Sequence, residues 1–137
     1  MKKRDKLFVL IPAFWASLFD ITITIVYQKK EYWDGNLNMV NEGNPIGNFM
    51  MKNHVSGIFV ISIMWLILIG VFGYYLPRKL SQIFLLFVLI THSWAASTWI
   101  FMEFGFWFVI VFILFNSILF YKIDDKINRK ISKSDFE

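Results

Sequence analysis

The sequence predicts an all-α polytopic membrane protein, a single domain over residues 1–137 that forms a bundle of four transmembrane helices. The composition is 57% hydrophobic and 20% aromatic, which is more apolar than an ordinary soluble domain of this length. Four apolar runs are also long enough to cross about 30 Å of hydrocarbon. These runs are Leu7–Tyr27, Gly57–Leu76, Leu80–Phe101 and Phe104–Tyr121.

The basic residues predict the orientation of this bundle. Most of them form three clusters that fall on one side of a four-span topology: Lys2, Lys3, Arg4 and Lys6, then Arg78 and Lys79, then Lys122, Lys126, Arg129, Lys130 and Lys133. The positive-inside rule therefore predicts a multi-pass protein of the inner (plasma) membrane with short basic tails, both in the cytoplasm. The net charge of +4 follows from these flanks, so nucleic acid is not an expected partner. The absence of cysteine excludes disulfides and thiolate ligands.

The first run carries a carboxylate, Asp20, inside the hydrophobic stretch. The run is too long for a secretory signal and lacks a small-residue cleavage site, so we expect a retained span. Counting about 1.5 Å per residue from Leu7 places Asp20 about 20 Å across, in the outer third of the bilayer. Thr24 and Tyr27 continue the same face at i+4 and i+7. An unpaired acid in hydrocarbon costs several kcal/mol, so Asp20 predicts a site.

The segment 28–56 is the one sizeable polar stretch between spans. Asn44 is a good N-cap and Pro45 suits the first helical position, which predicts an extracytoplasmic helix through 46–53 between spans one and two. Glu42 lies just before the start of that helix, where the helix dipole favours an acid.

The later spans add a second ionisable residue. Span two has no charge and is predicted to be a packing helix. His92 in span three lies roughly 18 Å from Leu80, nearly the depth of Asp20. In span four, Asn116 is predicted to lie near the cytoplasmic end, away from the other polar groups, in a helix–helix hydrogen bond.

The topology thus gathers Asp20, His92, Glu42 and His54 into one half of the bilayer. We assign Asp20 and His92 as the candidate catalytic pair. Thr24, Glu42, Asn44 and His54 are candidate ligand-binding residues. Asp20, Glu42, His54 and His92 are candidate ligands of a divalent metal such as Zn²⁺. A general base oriented by a carboxylate and a proton or cation relay are the other uses of such a cluster.

Simpler structural roles compete with these assignments. Asp20 could pin helix one to helix three, as intramembrane polar groups often do. His54 could be a solvated interfacial residue, Glu42 could serve only the helix dipole, and Asn44 could serve only as a cap.

Two motifs, Asp20-x-x-x-Thr24 and Glu42-Gly43-Asn44-Pro45, resemble a family of small uncharacterised prokaryotic integral membrane proteins. Members of that family carry Asp-x-x-x-Thr in the first span and Glu-x-Asn-Pro before the second. The similarity covers roughly residues 17–51, and residues 29–39 are an insertion relative to the family. The resemblance implies that the five motif residues act as a unit, and it implies no particular activity.

We therefore expect an outer-leaflet polar site that binds a divalent cation or a small polar or lipid headgroup. A membrane-embedded hydrolase or transferase is one form of this expectation. The alternatives are a proton- or cation-coupled small transporter or channel subunit acting as a homo-oligomer, and a non-catalytic membrane adaptor or immunity-type protein. Whether the protein is an enzyme stays open at this point.

Overall fold

The computed structural model describes the backbone of residues 3–134 and the side chains of residues 6–129. Its described part is 86% helical and contains no strand. The helices are α1 (Lys3–Val26), α2 (Lys30–Trp33), α3 (Pro45–Asn53), α4 (Gly57–Tyr75), α5 (Arg78–Phe104) and α6 (Phe106–Ser134). Of these, α1, α4, α5 and α6 are each long and apolar enough to cross a membrane, which confirms the predicted four-helix membrane bundle.

The helix boundaries follow local signals in the sequence. The side-chain oxygen of Asn44 accepts a hydrogen bond from the Ile46 N–H at 3.0 Å, so α3 has the predicted N-cap followed by Pro45. A turn at Gly105, with φ of 89°, reverses the chain between α5 and α6, and this left-handed conformation suits glycine. The last helix continues past its predicted end at Tyr121. The side chains predicted to form the outermost parts of the basic tails, Lys2, Lys3, Arg4, Lys130 and Lys133, lie outside the described residues.

The helix α1 is central to the bundle, because it contacts α4, α5 and α6. A stripe of residues spaced three, four and seven apart is buried along one of its faces: Leu10, Ala13, Ser17 and Thr24. Gly73 lets α4 approach this face, because a Cβ there would lie 2.3 Å from Cδ2 of Leu10. The hydroxyl of Ser81 on α5 donates to the Gly73 carbonyl at 2.6 Å and joins α5 to the same contact.

The two ends of the bundle differ, and we call them the loop end and the basic end. The loop end carries the long connection from α1 to α4, and the basic end carries the α4–α5 turn and the start of α1. The connection is packed against the bundle: Tyr32 is fully buried and its hydroxyl donates to the Val55 carbonyl at 3.0 Å. The Gln28 side chain donates to the Asn41 carbonyl at 2.9 Å and accepts from the Asn41 N–H at 2.7 Å. These contacts place the segment that follows Asn41 beside the end of α1.

Candidate functional site

Asp20 of α1 and His92 of α5 meet inside the bundle. Nδ1 of His92 lies 2.8 Å from Oδ2 of Asp20, and the two side chains are 16% and 14% exposed, respectively. Each residue belongs to the buried stripe of its helix, which for α5 includes Val88 and Ala96 four residues to either side of His92. The expectation that these two side chains meet is therefore confirmed.

Trp65 of α4 is the third member of this group. Its indole N–H donates to Nε2 of His92 in a short hydrogen bond. An indole nitrogen can only donate, so Nε2 must be the acceptor and carry no proton. We therefore assign the neutral tautomer in which Nδ1 of His92 holds the proton and donates it to the Asp20 carboxylate.

Sequence reasoning had treated this span as a packing helix and missed the role of Trp65. The signal that could have found it is depth. Trp65 lies about 12 Å from the start of α4 at the loop end, and its N–H is a donor at roughly the level of the Asp20–His92 pair.

With this tautomer of His92, the pair carries one negative charge when Asp20 is ionised. A proton on Nε2 would face the N–H of Trp65. Within the residues whose side chains are described, Asp20 forms an ion pair with no lysine or arginine. An ionised carboxylate without a counter-charge in a transmembrane segment costs several kcal/mol.

Glu42, in the connection at the loop end, is coupled electrostatically to Asp20 and His92. Burial raises the pKa of Glu42, and the negative charge of Asp20 raises it further. A hydrogen bond from the Asn44 N–H to Oε1 of Glu42, at 2.7 Å, acts in the opposite direction, as any positive charge on His92 does. The side chain lies against Gly47 of α3, where an added Cβ would be 3.0 Å from Cγ of Glu42. The first turn of α3 therefore holds the second acid where it senses both Asp20 and His92.

The remaining predicted site residues take other positions. Thr24 is buried on the face of α1 that carries Asp20, but it forms no hydrogen bond with Asp20 or His92. The Asn44 side chain caps α3, while its backbone N–H holds Glu42. His54 is exposed at the end of α3, and its Nδ1 is engaged by the side chain and the backbone N–H of Ser56.

The predicted metal set of Asp20, Glu42, His54 and His92 is not assembled in the structure. Among the described residues, no group of three or more His, Cys, Asp or Glu could hold a metal ion. The physical reason is that the His54 ring is bonded locally, while both ring nitrogens of His92 are already in hydrogen bonds.

A second polar cluster lies beside the site and corrects the prediction for Asn116. This side chain is 4% exposed, accepts from Nε1 of Trp15 at 3.1 Å and donates to Oγ of Ser93 at 3.0 Å. The predicted helix–helix hydrogen bond is thus present, but its acceptor Ser93 is the residue after His92, so Asn116 does not lie away from the other polar groups. The physical reason is that α6 begins at Phe106 at the loop end, so Asn116 lies about 15 Å along this helix, at the depth of Ser93 on α5.

Ser17, one turn from Asp20 on the same face of α1, is fully buried, and its hydroxyl has no hydrogen-bond partner in the described part of the protein.

No protein family, curated protein or solved structure matches this chain. The resemblance to small prokaryotic membrane proteins stays a prediction that depends on two motifs. The site is therefore interpreted from its own geometry.

Proposed function

We propose that the protein is a multi-pass plasma-membrane protein that binds a small monovalent cationic group in the loop-end half of the bundle. The Asp20 carboxylate is the anchor of this site. One observation carries the proposal: the Trp65 N–H donates to Nε2 of His92, which assigns the neutral tautomer of His92 and leaves an ionised Asp20 without a counter-charge. Binding of a cation would remove the free-energy cost of that charge in hydrocarbon.

The unused oxygens indicate what kind of cation would fit. In the described part of the protein, Oδ1 of Asp20 and Oε2 of Glu42 take no hydrogen bond, while the nitrogens of His92 are both occupied. Two carboxylate oxygens without imidazole ligands suit an alkali ion or a primary ammonium better than Zn²⁺, which favours nitrogen and sulfur ligands. The ammonium group of a lipid headgroup belongs to the same chemical class.

The direction of access follows from charge and exposure. Under the positive-inside rule the basic end faces the cytoplasm, so the loop end faces outward. Glu42 is partly exposed in the connection at that end, and Asp20 lies about 9 Å inside the end of α1. Carboxylates at the mouth of a low-dielectric pocket raise the local concentration of cations. We therefore propose entry from the outer side, with Glu42 as the first acid that the cation meets.

Cation-dependent stability of the purified protein tests this proposal. The thermal unfolding midpoint would be measured in phosphatidylcholine nanodiscs against NaCl, KCl and methylammonium chloride, with choline chloride as the control for ionic strength. We expect at least one small cation to raise the midpoint above the choline control; at a hundred times its Kd, the added free energy of unfolding is about 2.7 kcal/mol. Asp20→Asn should abolish the rise, and Asn116→Ala should keep it. The proposal fails if no small cation exceeds choline, or if Asp20→Asn responds as the wild type does.

Proton-coupled transport is a second candidate function, favoured by the electrostatic coupling of two acids. The raised pKa of Glu42 places its titration closer to neutral pH, and its charge is linked to that of Asp20. A four-helix bundle is small for a carrier, so this version includes a homo-oligomer. Uptake of methylammonium into liposomes, driven by a pH gradient and lost in Asp20→Asn, would favour transport over binding alone.

The hydrolase or transferase version receives less support from the geometry. An Asp that orients a His through Nδ1 is the arrangement of a general base. The base would act through Nε2, however, and the Trp65 N–H occupies that nitrogen. The adaptor version predicts that Asp20→Asn changes neither cation response nor transport.

A further inference from the structure

A lateral groove of about 240 Å³ lies at the basic end, in the half of the bundle away from Asp20. It is formed by α1, α5 and α6, and apolar side chains such as Val9, Leu86 and Phe120 make most of its wall. The short side chains of Pro12 and Ala13 leave room on the α1 side. On the α5 side, Ile83 is 58% exposed and Leu86 is 41% exposed, so the groove opens towards lipid.

A smaller basic hollow adjoins this groove. The two share Val9 and Gln82 in their walls, and the hollow is also lined by Lys6 and Arg78. Nζ of Lys6 donates to the Tyr74 carbonyl at 3.1 Å, which fixes the ammonium and leaves N–H donors free. Arg78 is exposed and forms no hydrogen bond or ion pair with the described residues. The apolar groove thus ends beside two cationic side chains, those of Lys6 and Arg78.

One acidic side chain reduces the net positive charge of the groove and the hollow together. Asp124 lines the groove from α6 and accepts a hydrogen bond from the Asn128 amide at 2.9 Å. Among the described residues that line the groove and the hollow, Lys6, Arg78 and Asp124 together leave one unbalanced positive charge. A phospholipid with one net negative charge complements that charge, and its acyl chain complements the apolar wall.

We propose that this groove binds one acyl chain of an anionic phospholipid whose phosphate lies on Lys6 and Arg78. The charged hollow lies beside the first turn of α5, at the level of the basic flanks. Arg78 supplies the planar N–H donors that suit a phosphate, and Lys6 supplies a point charge. This lipid site is separate from the cation site, and each can fail without the other.

The test is lipid binding to the full chain by native mass spectrometry, with phosphatidylglycerol compared with phosphatidylcholine of the same chains. Ile83→Trp fills the open edge of the groove. Ile90→Trp is the matched control, because Ile90 is on the same helix, is also 58% exposed and does not line the groove. Arg78→Gln removes one cation at an exposed position, so it keeps the test decisive even if Ile83→Trp lowers the helix content.

We expect the wild type and Ile90→Trp to bind phosphatidylglycerol about fivefold more tightly than phosphatidylcholine. Ile83→Trp should weaken both lipids, and Arg78→Gln should remove the preference for the anionic lipid. Equal binding of the two lipids by the wild type overturns the proposal, as does an unchanged preference in Arg78→Gln. A dimer that forms in place of lipid binding and is lost in Ile83→Trp would show that a second copy covers the groove, and it would also overturn the proposal.

Discussion

Replacing Asp20 by Asn should stabilise the protein while abolishing its response to cations. The substitution keeps the shape of the side chain and an oxygen that accepts from Nδ1 of His92, but it removes the charge. An aspartate near the centre of a transmembrane helix raises the free energy of inserting that helix by about 2.5–3.5 kcal/mol. Asp20 lies about 9 Å from the end of α1 and is 14% exposed, so the cost here is at the lower end.

The hydrogen bond from His92 offsets part of this gain. A bond to a carboxylate contributes roughly 1 kcal/mol more than a bond to a neutral amide. The net expectation is that cation-free Asp20→Asn is about 1–2 kcal/mol more stable than the wild type. Unfolding by SDS titration in mixed micelles, followed by circular dichroism, would measure the difference.

The matched control for this substitution is Asp125→Asn. Asp125 forms an exposed i,i+4 ion pair with Arg129, 2.9 Å apart, and its loss should change stability by less than about 0.5 kcal/mol. If Asp20→Asn instead destabilises the protein by more than about 1 kcal/mol, Asp20 is part of a stabilising ion pair and the charge-imbalance argument is refuted.

Three further outcomes follow from the same contacts. Because burial and Asp20 raise the pKa of Glu42, the cation-free protein should be most stable below the ordinary pKa of a glutamate and lose stability as pH rises through the raised value; Glu42→Gln should remove that loss in a pH series of thermal midpoints. Gly47→Ala should displace the Glu42 carboxyl and alter the same pH dependence, whereas Gly43→Ala, whose Cβ meets nothing within 4 Å, should not. Asn116→Ala should cost about 1 kcal/mol, from two interhelical hydrogen bonds at about 0.6 kcal/mol each, without changing the cation response.

Each of these outcomes has a clear contrary result. A pH profile of Glu42→Gln that matches the wild type would mean that Glu42 does not sense Asp20. Equal effects of the two glycine substitutions would remove the role of α3 in holding Glu42. Loss of the cation response in Asn116→Ala would mean that the Asn116 cluster and the Asp20–His92 site act as one unit.

The spans, the α3 cap and the Asp20–His92 meeting could be predicted because each depends on local rules. Hydropathy and length locate the spans, Asn44-Pro45 signals a helix start, and a fixed rise per residue gives the depth of a side chain. Depth alone does not say which face of a helix looks inward. Asp20 and His92 also had to lie on the inward-facing sides of their helices, and the sequence indicated the inward face only for α1.

The tertiary partners of the site could not be predicted. The approach of α4 at Gly73, close against Leu10, helps to set the face that α4 turns towards α1 and α5, and Trp65 lies on the side that meets His92. The packing of the connection against the bundle depends on hydrogen bonds between Gln28 and Asn41, and no local sequence motif predicts these bonds. Histidine is a common metal ligand, but the backbone N–H of Ser56, two residues on, donates to Nδ1 of His54 and occupies that nitrogen.

The protonation state of His92 tests the central claim most directly. The chain has two histidines, so in a His54→Gln variant the ¹⁵N NMR signals of histidine in bilayers come from His92 alone. We predict a neutral ring at neutral pH with the proton on Nδ1, and an Nε2 that is coupled to the Trp65 indole N–H. A ring protonated on both nitrogens would mean a balanced ion pair with Asp20 and would contradict the proposed cation site.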